Sequence, residues 1–377
     1  MILSYEQGPI RPPSEAGSLL LRLTRNCPWN KCAFCTAYKR ETFSRRSVEE
    51  IKHDIDTVEE MCRLIREVSM RNGLGAVVNT EVFNLVQRHG NYQLTSVASW
   101  LYNGGKTVFF QDANSLVMKT AEVVEILKYL KERLPTVERV TTYARSATLS
   151  RKSVEELRVL KDAGLSRIHV GLESGSDDVL RLIHKGTTAE QHLEAGRRVM
   201  QAGISLSEYV ILGMGGRELG EKHALETARV LNGINPDFIR IRSLAVAPGT
   251  PLSQKIENGE FTVETEEEVV RGERLLIDHL DGIQSTVVSD HSLNLLEEVY
   301  GKLPEAKESM LAVIDRFLAL PARERQNFIL GKRWGVYRIQ SDMGNPSVYA
   351  QVASALEKIE RESGFMETIA YLKNQCI

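Results

Sequence analysis

Three of the five cysteines of this 377-residue chain fall within nine residues, in Cys27-Pro28-Trp29-Asn30-Lys31-Cys32-Ala33-Phe34-Cys35, directly after the apolar run Leu19 to Leu23. Three thiolates on a short loop can hold three irons of a [4Fe–4S] cluster and leave the fourth iron open to a substrate. A zinc site and a plain structural cysteine cluster are the alternatives. Structural zinc wants four ligands, usually as two Cys-x-x-Cys or Cys/His pairs. No second pair is present, and the nearest histidine, His53, lies beyond a predicted turn. Of the other two cysteines, Cys62 shares a helical apolar stripe with Ile51, Ile55, Val58 and Ile65 and reads as core, whereas Cys376 is penultimate and is expected to be mobile.

The elements that must position this loop follow a rhythm. Apolar runs suited to buried strands occur at Leu19 to Thr24, Val108 to Phe110, Val137 to Tyr143, Arg167 to Leu172, Ile204 to Leu212 and Phe238 to Leu244. Helical patterns lie between them at Thr120 to Leu134, Ser153 to Ala163, Thr188 to Ala202 and Leu219 to Asn232, several ending at a glycine such as Gly164 or Gly203. A further helix is expected from Ser47, where Ser47 and Glu50 have capping-box spacing.

Strand and helix alternate, so the fold class is α/β with a parallel sheet, a partial (β/α)6 TIM-like barrel followed by a C-terminal mostly helical region. We expect an N-terminal extension over 1–17, the barrel over 18–251 with a helical insertion at about 71–103, and the helical region over 252–377. In the last region Gln284 to Val288 could add a strand, Ser292 to Tyr300 and Ala306 to Leu320 read as helices, and the acidic run Glu264 to Glu268 reads as a solvated helix start.

The cysteine loop resembles that of the radical S-adenosylmethionine (SAM) superfamily, in which two residues separate the last two cysteines and an aromatic, here Phe34, precedes the third. The gap between Cys27 and Cys32 is four residues, against a usual three. The resemblance runs from about Leu19 to Leu252 and includes the group similar to oxygen-independent coproporphyrinogen oxidases and methylthiotransferases. It implies a [4Fe–4S] cluster on Cys27, Cys32 and Cys35 and SAM bound at the strand ends. Phe34 and Arg145 belong to the SAM site implied. Asp112 and Asn114 stand where the family carries a Gly-Gly-Glu-like motif for the SAM amino group, although the glycines and glutamate are absent. Glu173, beside Ser174, resembles the ribose contact, and Gly213 opens a turn similar to the one that supports adenine.

Parity adds one inference from the residues themselves. With Ile239 and Ile241 facing helices, Arg240 and Arg242 point into the barrel, as do Arg22, His169 and Glu173 in their strands. One arginine would pair with the SAM carboxylate, and the surplus charge suggests an anionic small-molecule substrate.

Composition bounds the partners. With 42% hydrophobic and 26% charged residues and a net charge of −2, the chain reads as a globular protein without the basic balance of a broad nucleic-acid binder. No signal peptide or membrane span is evident, and the clustered cysteines suit a reducing cytoplasm. The reading is an oxygen-sensitive radical SAM enzyme that takes electrons from a reductant such as flavodoxin or ferredoxin. An RNA-modifying radical SAM enzyme, a porphyrin-side-chain oxidase, and a non-enzymatic iron–sulfur or zinc binding module are the rival readings.

Overall fold

The apolar runs become strands because a parallel strand is covered on both faces and needs no polar alternation. In the computed structural model, which describes residues 3–362 and 364–375, they form β1 (Leu19–Arg22), β2 (Thr107–Gln111), β3 (Arg139–Ala144), β4 (Leu165–Glu173), β5 (Ser205–Leu212) and β6 (Phe238–Ser243). Helices alternate with them: α1 (Val48–Arg71), α2 (Thr80–His89), α3 (Tyr92–Tyr102), α4 (Thr120–Arg133), α5 (Ser146–Leu149), α6 (Val154–Ala163), α7 (Asp177–Leu182), α8 (Ala189–Gln201) and α9 (Gly216–Ile234). This is the α/β class, with the partial run of strand–helix repeats, expected from the sequence. Ser47 caps α1 as its spacing predicted: the Glu50 N–H donates to the Ser47 hydroxyl and the Ser47 N–H to the Glu50 carboxylate.

The chain divides into two compact units. The first comprises Met1–Asn30, Ala37–Val170 and Arg198–Leu206. Within it β1 pairs with β2, β2 with β3 and β3 with β4, all parallel, in a register that sets Arg22 beside Gln111 and Tyr143 beside His169. The rings of Phe109, Tyr143 and His169 pack edge to face, and the buried Glu15 carboxylate takes hydrogen bonds from Ser18 and Arg139 beneath them. Helices α2 and α3 occupy the stretch between α1 and β2, each capped by an asparagine side chain, Asn79 and Asn91. Cys62 is buried in α1, as its position in the apolar stripe implied. Cys376 lies outside the described residues.

The second unit comprises Lys31–Thr36, Gly171–Arg197 and Ser207–Ile377. Here β5 pairs with β6 and β6 with β7 (Thr286–Val288), both parallel, while β8 (Gly301–Lys302) is antiparallel to β7. The run at Gln284 to Val288 is therefore a strand. The helices that follow β6 are α10 (Pro251–Glu257), α11 (Glu266–Asp278), α12 (Lys307–Ala319), α13 (Ala322–Arg333), α14 (Pro346–Glu362) and α15 (Phe365–Asn374).

Two expectations fail in this unit. Ser292 to Tyr300 is not a helix, because the Asn294 amide is committed to the Ile241 carbonyl and the Ser289 hydroxyl, which holds the segment in turns while its leucines still reach the core. Glu264 to Glu268 does start a helix, with Thr265 as N-cap, but it is not solvated. Glu266 is buried and takes two hydrogen bonds of 2.8 Å from Arg333 Nη2, one on each carboxylate oxygen. No helix among the described residues is long and apolar enough to cross a membrane.

Candidate functional site

In the first unit the base of the cysteine loop is tied by a two-residue antiparallel ladder, Thr24–Arg25 with Ser44–Arg45. Asp112, fully buried after β2, is the hub. Its Oδ2 accepts from Arg22 Nε at 2.8 Å and from the Asn26 N–H at 2.8 Å, and its Oδ1 accepts from the Tyr38 hydroxyl at 3.0 Å. Arg22 reaches on to Glu6 Oε1 and to Asn26 Oδ1, each at 3.0 Å. Burial, reinforced by the Asp112 charge, pushes the Tyr38 phenol far above its ordinary range, so it remains a donor.

Asn26 and Asn30 adopt left-handed backbone with φ of 69° and 47°, which asparagine tolerates better than most residues. The second of these turns sends the Asn30 N–H to Cys27 Sγ at 3.4 Å. Asn114, also buried, donates to Thr148 and accepts from the Arg145 N–H. The Arg145 guanidinium lies 5.0 Å over the Trp29 ring. Trp29 belongs to the four-residue gap, so the longer spacing has a packing partner at the end of β3.

In the second unit Cys32 and Cys35 flank Ala33, which is wholly buried against Val179, Ile183, Met214 and Leu252, with Phe34 packed on the same cluster. Two backbone hydrogen bonds fix this piece of loop, from Ala33 N to the Ile183 carbonyl and from Leu252 N to the Ala33 carbonyl. Glu173, at the end of β4 with φ of 60°, accepts from Lys185 Nζ at 2.8 Å. The carboxylate folds over Gly171, where a Cβ would stand 2.1 Å from Glu173 Oε1.

Ser174 is fully buried and its hydroxyl meets His223 Nδ1 at 2.8 Å, while His223 Nε2 meets the Ile211 carbonyl at 3.1 Å. Burial lowers the His223 pKa to about 4, so the ring is neutral, with its proton on Nε2 for the carbonyl and its Nδ1 accepting from Ser174. The glycine turn at Gly213 serves close packing: a Cβ at Gly216 would stand 2.8 Å from the Thr262 carbonyl oxygen, so the segment after α10 covers the turn.

Arg240 and Arg242 are both buried in β6, and each donates one hydrogen bond of 3.0 Å to the same carboxylate, Asp290. Arg242 also lies 5.0 Å over the Tyr209 ring. Among the described residues Arg240 Nε and Arg242 Nη2 have no hydrogen-bond acceptor. Two guanidinium charges are thus balanced by one carboxylate. Nearby, burial and the Arg242 charge pull the His291 pKa down to about 4. Glu208 is buried, neither of its oxygens has a partner among the described residues, and burial pushes its pKa well above the carboxylate range despite Lys185.

Four candidate residues from the sequence, Cys27, Asp112, Asn114 and Arg145, therefore belong to the first unit, and Cys32, Phe34, Cys35, Glu173, Ser174, Gly213, Arg240 and Arg242 to the second. Sequence reasoning missed Tyr38, Lys185, His223 and Asp290. None carries a local signal, because each acts on a residue far away in the chain or on another element.

The three loop cysteines suit a cluster by their chemistry. They are part-exposed and form no disulfide, whereas burial pushes the Cys62 thiol up to about 12 and makes it a poor thiolate. Among the described residues no three His, Cys, Asp or Glu side chains are gathered around a point that one metal ion could fill. A cubane does not ask for that, since each cysteine binds a different iron.

A family model described as the radical SAM superfamily matches residues 95–231, a span that begins after the cysteine loop. Among curated proteins, a tRNA uridine(34) acetyltransferase of Methanocaldococcus infernus is 25% identical over 119 residues, 31% of this chain and 22% of the relative. The heme chaperone HemW of Bacillus subtilis is 24% identical over 167 residues, 43% of each chain. The match thus spans less than half the length of either relative. A solved structure of the cobalamin-dependent S-adenosylmethionine radical enzyme OxsB aligns with 94% of this chain and 58% of its own at 13% identity, with a TM-score of 0.48. Residues 95–231, which run from α3 through β5 into α9, are thus similar to the radical SAM superfamily, about a third of the chain.

Proposed function

We propose that the chain is a radical SAM enzyme in which Cys27, Cys32 and Cys35 hold a [4Fe–4S] cluster, SAM binds at the strand ends, and the substrate is an anionic small molecule. The observation that carries this reading is the contrast among the cysteines: three part-exposed cysteines outside any disulfide on one pinned loop, against a sealed Cys62. When bound, such a cluster supplies one electron for reductive cleavage of SAM to methionine and the 5′-deoxyadenosyl radical, which takes a hydrogen atom from substrate.

The chain's own residues have separable tasks. The Asp112 hub and the Asn30 turn set the position of Cys27, whose sulfur accepts the Asn30 N–H. Lys185 holds the Glu173 carboxylate at the end of β4, where one carboxylate can accept from both ribose hydroxyls. Arg240 and Arg242, with one positive charge left over after Asp290, supply the attraction for a carboxylate or phosphate. Reduced thiols and a need for low-potential electrons fit a cytoplasmic enzyme served by a flavodoxin- or ferredoxin-like donor.

A second reading has one observation in its favour: a relative named for acting on tRNA. RNA phosphates would also satisfy the arginine surplus. Mobility-shift titration with bulk tRNA separates the two readings, binding at micromolar protein favouring RNA. For the enzyme itself the test is anaerobic incubation of reconstituted protein with dithionite and SAM. Slow formation of 5′-deoxyadenosine is expected, with Glu173→Ala weakening SAM binding and leaving iron content unchanged. Absence of 5′-deoxyadenosine from protein that holds its cluster would favour an electron carrier instead.

A further inference from the structure

Within the second unit a cavity of about 530 Å3 opens beneath α15, between that helix, the loop after β6 and α10. Its walls are apolar, with Leu244, Val246, Ile256 and Ile369 among them, and its size is that of a pocket for a small organic ligand. The covering helix is firmly fastened: Lys373 of α15 lies 3.2 Å from Glu266 of α11, and Arg333 of α13 binds the same carboxylate.

One acid in this cavity is treated differently. Glu266 is matched by two cations, whereas among the described residues Glu264 makes no hydrogen bond or ion pair. The Glu264 carboxyl lies over Gly220, where a Cβ would stand 2.0 Å from Glu264 Oε1. Burial and the Glu268 charge raise its pKa to about 7, against the opposing pull of Lys373 on α15 and Arg217 on α9. At the rim Glu257 of α10 and Glu367 of α15 are exposed, so the mouth is acidic.

We propose that this cavity binds an amphipathic cation, an apolar or aromatic body lying under α15 with a protonated amine delivered to Glu264. The inference stands apart from the SAM reading, since it uses no cluster and no turnover. Apolar walls reward burial of the body, and the uncompensated carboxyl gains a charge-assisted hydrogen bond only from a cation.

Isothermal titration calorimetry of the full chain with three probes of one shape tests it: tryptamine, 3-ethylindole and indole-3-propionate. Tryptamine should bind about tenfold more tightly than either of the others. Its affinity should rise from pH 6 to pH 8, as Glu264 ionises while the amine stays protonated. Glu264→Gln should remove the preference and the pH dependence, and Ala370→Trp, which fills the cavity, should weaken all three probes. Equal affinity for the three probes, no binding of tryptamine at millimolar concentration, or a preference that survives Glu264→Gln in folded protein would overturn the proposal.

Discussion

Two buried charge clusters in this protein are built on one aspartate each, and they are balanced differently. Asp112 in the first unit spends its oxygens on Arg22, the Asn26 N–H and the Tyr38 hydroxyl, and Arg22 has Glu6 as a second anion. Asp290 in the second unit serves two guanidinium groups alone, with Arg240 Nε and Arg242 Nη2 left without acceptors among the described residues. A saturated cluster holds chain in place, and an undersaturated one retains attraction for a ligand. On the proposed reading, the first cluster is the seat of Cys27 and the second the unbalanced charge offered to a substrate.

Substitutions can break this contrast in order of size. Asp112→Ala should cost most, about 3–5 kcal/mol, because it takes the acceptor from three donors at once, the Arg22 guanidinium, the Asn26 N–H and the Tyr38 hydroxyl, in a fully buried site. The loss should appear in denaturant unfolding and as lower iron uptake on reconstitution. Asp290→Asn should cost less, about 1–3 kcal/mol, since Asp290 is 39% exposed and water screens what it leaves behind.

Arg240→Met should shift stability less again, because Asp290 keeps Arg242. Its effect should fall on chemistry: turnover of an anionic substrate should drop about tenfold or more, worth about 1.4 kcal/mol. Iron content and substrate-free cleavage of SAM should be unchanged. Equal loss of both activities would mean that the arginine serves SAM rather than substrate.

A separate effect concerns a third kind of buried group, an acid with no counter-ion among the described residues. Burial raises the Glu273 pKa from 4.5 to about 8. The folded state then binds more protons than the unfolded state between those values, so stability falls as pH rises from about 4.5 to about 8. Glu273→Gln should flatten that part of the stability–pH curve and make the protein relatively more stable at pH 8 than at pH 5. An unchanged slope would show that the carboxyl finds water.

Local features of the fold were legible because their causes are local. The Ser47 and Glu50 spacing foretold the capping box, the apolar runs foretold six parallel strands, and Gly164 and Gly203 have the positive φ expected at helix ends. The strand-six pattern also foretold two buried arginines. What covers them was not legible, since Asp290 lies 50 residues from Arg240 and Tyr38 lies 74 from Asp112, and no sequence period connects such pairs. The same limit applied to Glu266, which looked like part of a solvated acidic run until Arg333, 67 residues on, was found on it. Ser292 to Tyr300 misled for the opposite reason. Its leucines recur at helical spacing, but one asparagine side chain bonded to β6 outweighs that spacing.

The central claim is an open iron on a three-cysteine cluster, and the most direct measurement is the electron paramagnetic resonance spectrum of the anaerobically reconstituted, reduced protein with and without SAM. The account predicts about four irons and four sulfides per chain, and a reduced-cluster signal that changes on SAM addition because the amino and carboxylate groups bind the open iron. Both should vanish in Cys32→Ala and persist in Cys62→Ala. A full cluster whose spectrum SAM leaves untouched, or a protein that takes up zinc and no iron, would contradict it.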